Sequence, residues 1–241
     1  HAVMSLNNED GGKRKFVLIE MANYFDTVMI PRIKKVAYSF NWKDGEPKDS
    51  GGNGVLFKYQ VLEQYEDTLD NLELKENKEA LSLFGSDYLL KYFLDFESRD
   101  NAALVNLEHF KKPFSYKLKV NFEEVGEPQE VIVDLPETFH YLIGLTVKKI
   151  KIRKEKGKKY LFSLGEKESR SIALVWREYD DKWTKTSFKR DKDFIIQEIG
   201  DWAPQVIYVN GQSTLTPKIG GQTVEIRAIE PEFRKRMVNA S

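Results

Sequence analysis

The chain has 241 residues, 41% of them hydrophobic, and its 38 basic residues balance 38 acidic ones. That length suits one large domain, or part of one domain plus a complete second one, and zero net charge argues against non-specific nucleic-acid binding by the chain as a whole. The absence of cysteine excludes disulfides and thiolate metal sites; no run approaches a membrane span and no signal-peptide pattern opens the chain, so a soluble cytoplasmic protein is expected.

Ala2, Val3, Met4 and Leu6 read as the last part of a helix, which Asn7, Asn8, Asp10, Gly11 and Gly12 end as a polar turn. Phe16 to Ile19 form a continuous apolar run, which predicts a strand buried on both faces of a parallel sheet, with Glu20 at its carboxyl end. Open α/β sheets bind ligands at that edge, where a carboxylate can accept hydrogen bonds from vicinal ribose hydroxyls. The plainer reading of Glu20 is a solvated acid. In nucleotide-binding α/β folds such an acid lies about 20 residues after a glycine-rich loop. Here that loop would fall just before His1, so the chain is expected to begin within a domain.

Phe25, Val28, Met29, Ile33 and Val36 recur at helical spacing, with Pro31 set to kink or divide the helix. Residues 43 to 54 read as a loop. Gly51-Gly52-Asn53-Gly54 lacks the Lys-Ser/Thr that follows a phosphate cradle and reads as a turn. Val55 to Leu62 predicts a strand parallel to Phe16–Ile19, with Glu66 and Asp67 opening a helix after it. Residues 73 to 85 form a polar link, and Ser86 caps a helix whose apolar face is Leu89, Leu90, Phe93, Leu94 and Phe96.

Beyond residue 100 the pattern becomes strand-like. Tyr116, Leu118 and Val120 alternate with lysines, and Val131 to Val133 follow as a strand. Asp134 and Glu137 flank Pro136 in a helix-start pattern, and Gly144 stops that helix. Ile150 and Ile152 alternate with Lys149, Lys151 and Arg153; the chain turns at Glu155-Lys156-Gly157-Lys158 and returns through Tyr160, Phe162 and Leu164. Ile172 to Trp176 predicts a buried strand, and Phe188, Phe194, Ile195 and Ile199 a helix ended by Gly200. Asn210-Gly211 predicts a hairpin turn after Val206–Val209.

Histidines occur at 1, 109 and 140, without metal-ligand spacing, and His140 reads as a packed or surface residue. No Ser-His-Asp or Cys-His set is apparent, and no carboxylate–lysine constellation suggests a metal-dependent nuclease. Charge is nevertheless uneven. Residues 146 to 159 carry Lys148, Lys149, Lys151, Arg153, Lys154, Lys156, Lys158 and Lys159 against Glu155 alone, whereas residues 63 to 79 carry Glu63, Glu66, Asp67, Asp70, Glu73, Glu76 and Glu79 against Lys75 and Lys78. Both read as solvated faces. The basic one also offers Lys149, Lys151 and Arg153 for contact with a DNA backbone, because burial of Ile150 and Ile152 would turn them outward.

A family resemblance runs through the chain in order. Gly11 to Met21, followed by Tyr24-Phe25-Asp26-Thr27 and Pro31-Arg32-Ile33-Lys34-Lys35-Val36, resembles the segment after the Phe-x-Gly-x-Gly cofactor motif of type III modification subunits, which are adenine-specific DNA methyltransferases. Further similarities are Phe57-Lys58-Tyr59 with Tyr65 to Leu69, Asp87 to Tyr92, Pro113 to Leu118, Glu137 to Leu145, Ile207 to Gly211 and Ile229 to Phe233. The family's catalytic Asp-Pro-Pro-Tyr and its glycine motif are not in this sequence.

The resemblance implies the C-terminal portion of such an enzyme, inactive by itself. Its expected fold is α/β: residues 1–72 would complete a partial Rossmann-like methyltransferase sheet, and residues 73–241 would form a mixed α+β C-terminal domain. It also implies S-adenosylmethionine as the parent's cofactor, with Glu20 holding its ribose and Met21 packing beside its adenine. The implied partners are DNA, a second modification subunit in a homodimer, and a restriction helicase-nuclease subunit. A non-catalytic protein-interaction or DNA-backbone-binding module is the alternative.

Overall fold

The structure, a computed structural model, describes residues 1–22, 24–62, 67, 71, 107–121 and 127–238. They fall into two compact units. One holds residues up to 62 with Asn121 and Glu127; the other holds Asp67, Asn71, 107–120 and 128–238. The predicted polar link at 73–85 and the helix capped by Ser86 lie outside the described residues. Among the described residues no helix is long and apolar enough to cross a membrane.

In the first unit, helix α1 (Ala2–Asp10) ends at Gly11, whose φ of 66° is the left-handed conformation that glycine adopts without steric cost. Arg14 fastens the polar turn by pairing with Asp10 at 2.7 Å. A π-helical turn, Phe25–Met29, runs into helix α2 (Ile30–Tyr38). Pro31 lies in the first turn of α2 and so divides the helical segment where its missing N–H is not needed. Strands β1 (Trp42–Lys43) and β2 (Glu46–Pro47) make a small hairpin. Gly52 runs against α2 so closely that a Cβ there would lie 2.2 Å from the Ala37 carbonyl oxygen. The glycine cluster is thus a packing turn.

Two expectations fail in this unit. Phe16–Ile19 and Val55–Leu62 form no strands and do not pair. Val17 and Ile19 are 84% and 85% exposed, and Leu56, Val61 and Leu62 also face solvent. An apolar run becomes a buried strand only when strands flank it and layers cover it, and neither is present among the described residues.

The second unit is a mixed α/β layer structure. Strands β3 (Lys117–Val120) and β4 (Gln129–Ile132) pair antiparallel. Helix α3 (Leu135–Ile143) begins where Asp134 accepts the Glu137 N–H at 3.0 Å and ends at left-handed Gly144, as its sequence predicts. The main sheet has the order β11-β8-β7-β6-β5, from β5 (Thr146–Glu155), β6 (Lys158–Lys167), β7 (Arg170–Arg177), β8 (Val206–Val209) and β11 (Glu225–Ala228). The strands β5, β6 and β7 form an antiparallel meander. Helix α4 (Lys185–Ile199) then crosses over to β8, which lies parallel to both β7 and β11. The small hairpin β9 (Lys218–Ile219) and β10 (Gln222–Thr223) precedes β11, and helix α5 (Ile229–Val238) follows it. Asn210-Gly211 therefore opens a parallel connection, and the predicted hairpin is not formed.

Both faces of the sheet are buried at its central strands, which explains the nearly continuous apolar β7 and β8. Ile172, Leu174, Trp176, Val206 and Tyr208 pack with Phe139, Ile143 and Phe233 on one face. Ala173, Val175, Ile207 and Val209 pack with Tyr160, Phe162, Ile195 and Ile199 on the other. Fully burying each large side chain contributes about 1.5–3 kcal/mol.

Candidate functional site

Glu20 lies in an extended segment. Its Oε1 accepts the N–H groups of Met21 at 2.9 Å and Ala22 at 3.0 Å. The Ala22 N–H, helped by that of Met21 and by the Tyr24 hydroxyl, holds the carboxyl below the usual glutamate range. The acid is therefore ionised and oriented, though by its own neighbours rather than by a sheet edge. Met21 is 99% exposed. These residues offer S-adenosylmethionine one oriented carboxylate and one bare thioether side chain, with no cradle for its methionine half. Its fit to the described residues is incomplete.

The basic strand faces the opposite way from the sequence expectation. Ile150 and Ile152 are each 53% exposed. Lys151 instead turns toward α4, where its Nζ donates to the Glu198 carbonyl and to Glu198 Oε2, each at 2.7 Å. Arg153 Nε approaches the same carboxylate at 3.3 Å, and Lys149 and Lys151 lie 5.7 and 5.5 Å from the Trp202 ring centroid. The register explains the reversal. Lys151 is opposite Phe162 and Arg153 opposite Tyr160, on the face that α4 covers; Ile152 is opposite Leu161, on the other face. A cation with a long aliphatic stem can enter that layer because Glu198 meets its charge.

Two polar constellations that the sequence did not reveal are assembled in the second unit. In the first, His140 of α3 places Nδ1 3.0 Å from Glu137 Oε2 and Nε2 2.9 Å from Ser163 Oγ of β6. This is the hydrogen-bond order of a serine–histidine–acid relay, a set that is not apparent in the sequence. Ser163 is fully buried and His140 nearly so. A nucleophile must reach its substrate, and this hydroxyl is buried against the histidine. The relay fastens α3 to the sheet.

The second constellation lies at the carboxyl ends of β7 and β8, where α/β sheets ordinarily receive ligands. Arg177, fully buried, donates from Nε to both Asp191 oxygens at 2.9 and 3.1 Å, from one terminal nitrogen to the Asn210 carbonyl, and from the other to the Gln212 carbonyl at 2.6 Å. The Tyr160 hydroxyl donates to Asp191 Oδ1 at 2.9 Å. Burial pushes the Asp191 carboxyl up, and Arg177 and Tyr160 pull it back. Burial, with the Asp191 charge, raises Tyr160 too. Asn210 Oδ1 accepts the Arg177 N–H, and its amide donates to the carbonyls of Phe110 and Arg177, all at 2.8 Å. The Asn210 side chain thus extends the ladder one step beyond the strand.

Gly211 sits against Tyr179 so closely that a Cβ would lie 2.3 Å from the ring, and its N–H donates to Glu230 Oε1 at 2.5 Å. Burial raises the Glu230 carboxyl. Tyr179 and Trp183 place their ring centroids 5.6 and 5.5 Å from the guanidinium carbon. Every nitrogen of Arg177 thus has an internal partner, and the protein's own groups fill this edge. The sequence signal was faint: one arginine ending an apolar strand and one aspartate within an amphipathic helix.

Among the described residues, no group of three or more histidines and carboxylates could hold a metal ion. Compared with protein-family models, curated proteins and solved structures, the chain matches none.

Proposed function

We propose that this chain is the C-terminal portion of the modification subunit of a type III restriction-modification system. The parent transfers a methyl group from S-adenosylmethionine to the exocyclic amine of adenine in DNA, taking the base out of the duplex to do so. The observation that carries this reading is the ordered series of family-like segments from Gly11 to Phe233. Within that parent, the second unit acts as a non-catalytic binding module. The groups in it that resemble catalytic machinery, Ser163–His140–Glu137 and Arg177–Asp191–Tyr160, are buried on internal partners. The parent's other partners on this reading are a second modification subunit and the helicase-nuclease subunit.

Calorimetry tests the cofactor role. The present chain should show no tight binding of S-adenosylmethionine, because Glu20 and Met21 alone cannot hold its methionine half. The full-length parent should bind it, and Glu20→Ala there should weaken binding. Unchanged affinity in that variant removes Glu20 from the site. A complete gene with neither Phe-x-Gly-x-Gly nor Asp-Pro-Pro-Tyr upstream of His1 defeats the family reading and leaves the binding module.

A further inference from the structure

The strand β5 ends the main sheet, with no described strand on its outer side. Lys156 and Gly157, at φ 49° and 76°, form the two-residue turn between β5 and β6, and Glu155 and Lys158 flank it. In such a hairpin the flanking pair exchanges both main-chain hydrogen bonds, and the bonded pairs then alternate along the ladder. Glu155, Arg153, Lys151 and Lys149 therefore bond to β6. Lys154, Ile152 and Ile150 direct their N–H and C=O groups away from it. The Ile152 carbonyl accepts instead from the Arg153 guanidinium at 2.9 Å. The same three residues carry half-exposed isoleucines at positions 150 and 152, so main-chain groups without a described strand partner coincide with exposed apolar side chains.

Charge decides what can dock there. From 146 to 157 the strand and turn carry Lys148, Lys149, Lys151, Arg153, Lys154 and Lys156 against Glu155. Glu166 meets Lys148, and Glu198 meets Lys151 and Arg153 together, so positive charge remains in excess along the edge. Two copies paired edge to edge would set these cations against one another, and like charges across a strand pair are destabilising. Lysines on an edge are a common defence against such self-association. They do not deter a strand of opposite charge. Alternation along an added strand would place its apolar residues over Ile150 and Ile152 and its acids toward Lys149 and Arg153, on the other face.

We infer that the outer edge of β5 is a docking site for an extended peptide segment in which acidic and apolar residues alternate, added to the sheet as a sixth strand. This inference rests on the edge geometry and charge alone and stands apart from the methyltransferase reading.

The test uses the whole chain and a capped synthetic peptide of alternating valine and glutamate, with a valine–lysine peptide of equal length as control. The acidic peptide should bind, the basic one should not, and binding should slow hydrogen exchange at the amides of Ile150, Ile152 and Lys154. Ile152→Pro removes an outward N–H without taking a bond from β6, and should weaken binding about tenfold. Lys149→Glu, on the face that would receive the acids, should weaken it also. Absence of binding, or binding without protection of those three amides in the unaltered chain, overturns the proposal even if the proline variant does not fold. A DNA duplex that displaces the peptide without protecting those amides would mark the edge as a phosphate contact and overturn it as well.

Discussion

The buried charges of the second unit make the sharpest claims about single residues. Replacing one member of a buried ion pair strands the other in the interior. Asp191→Ala leaves Arg177 Nε and the Tyr160 hydroxyl without their acceptor and the guanidinium without its counter-charge, and should destabilise the fold by roughly 3–5 kcal/mol in urea denaturation. Tyr160→Phe removes only one neutral donor from Asp191 and should cost about 1 kcal/mol. Comparable losses from the two would show that Arg177 relies on its carbonyl partners rather than on Asp191. Glu230 behaves differently, because burial raises its carboxyl. A carboxyl raised in the folded state holds its proton more firmly there than in the unfolded chain. Its contribution is therefore full below the ordinary glutamate range and is lost as pH rises through the raised value. Above the ordinary glutamate range the unfolded chain gives up this proton more readily than the fold does, so Glu230 weakens the fold there. Glu230→Gln keeps an oxygen for the Gly211 N–H and removes that charge. It should raise the urea midpoint at about pH 7 and leave it unchanged at about pH 4, near the unperturbed glutamate value.

At the level of elements, β5 separates two ideas that the sequence alone merges. Alternation of isoleucine with lysine predicts buried isoleucines, yet the strand lies at the sheet edge with its lysine side toward α4. Lys151 and Glu198 keep only 20% and 13% of their side chains exposed. Lys151→Ala should lower stability by roughly 1–3 kcal/mol, because Glu198 loses a charged partner in a partly buried site. Ile152→Thr, on the open side, should change it by less than about 0.5 kcal/mol. The opposite ranking would restore the sequence expectation. Helix α3, the Lys156-Gly157 turn, the meander through β7 and helix α4 were all legible, because caps, positive-φ residues and apolar periodicity act within a few residues of the chain. Asn210-Gly211 misled for the same reason. The local preference for a hairpin yields to Asn210, whose side chain bonds Phe110, a hundred residues away in sequence. The pairing of His140 with Ser163 and of Arg177 with Asp191 was likewise hidden, since helix-to-sheet packing brings them together and no spacing announces it.

For the molecule as a whole, the two units differ in what they bury. The second holds two apolar layers around one sheet, whereas the described residues of the first bury few large side chains, chiefly Met4 and Val36. Met4 and Val36 line an apolar groove of about 320 Å³ with Phe16, Leu18, Met29 and Ile33. Hydrogen exchange on the intact chain should follow this division. The amides of β6, β7 and β8 should exchange only on global opening, while those of 16–21 and 55–62, outside any ladder, should exchange within the shortest labelling time. If the chain is the C-terminal part of a methyltransferase, the same experiment on the full-length parent carries a stronger expectation. Phe16–Ile19 is apolar on both sides, with Val17 and Ile19 almost fully exposed, and a sheet completed by upstream strands would cover both sides. Protection at 16–19 should then rise by orders of magnitude in the parent, with Glu20 carried to the carboxyl edge of the new strand. Equal, fast exchange in both proteins would show that this run never joins a sheet, and would remove the structural ground for placing Glu20 beside a cofactor ribose.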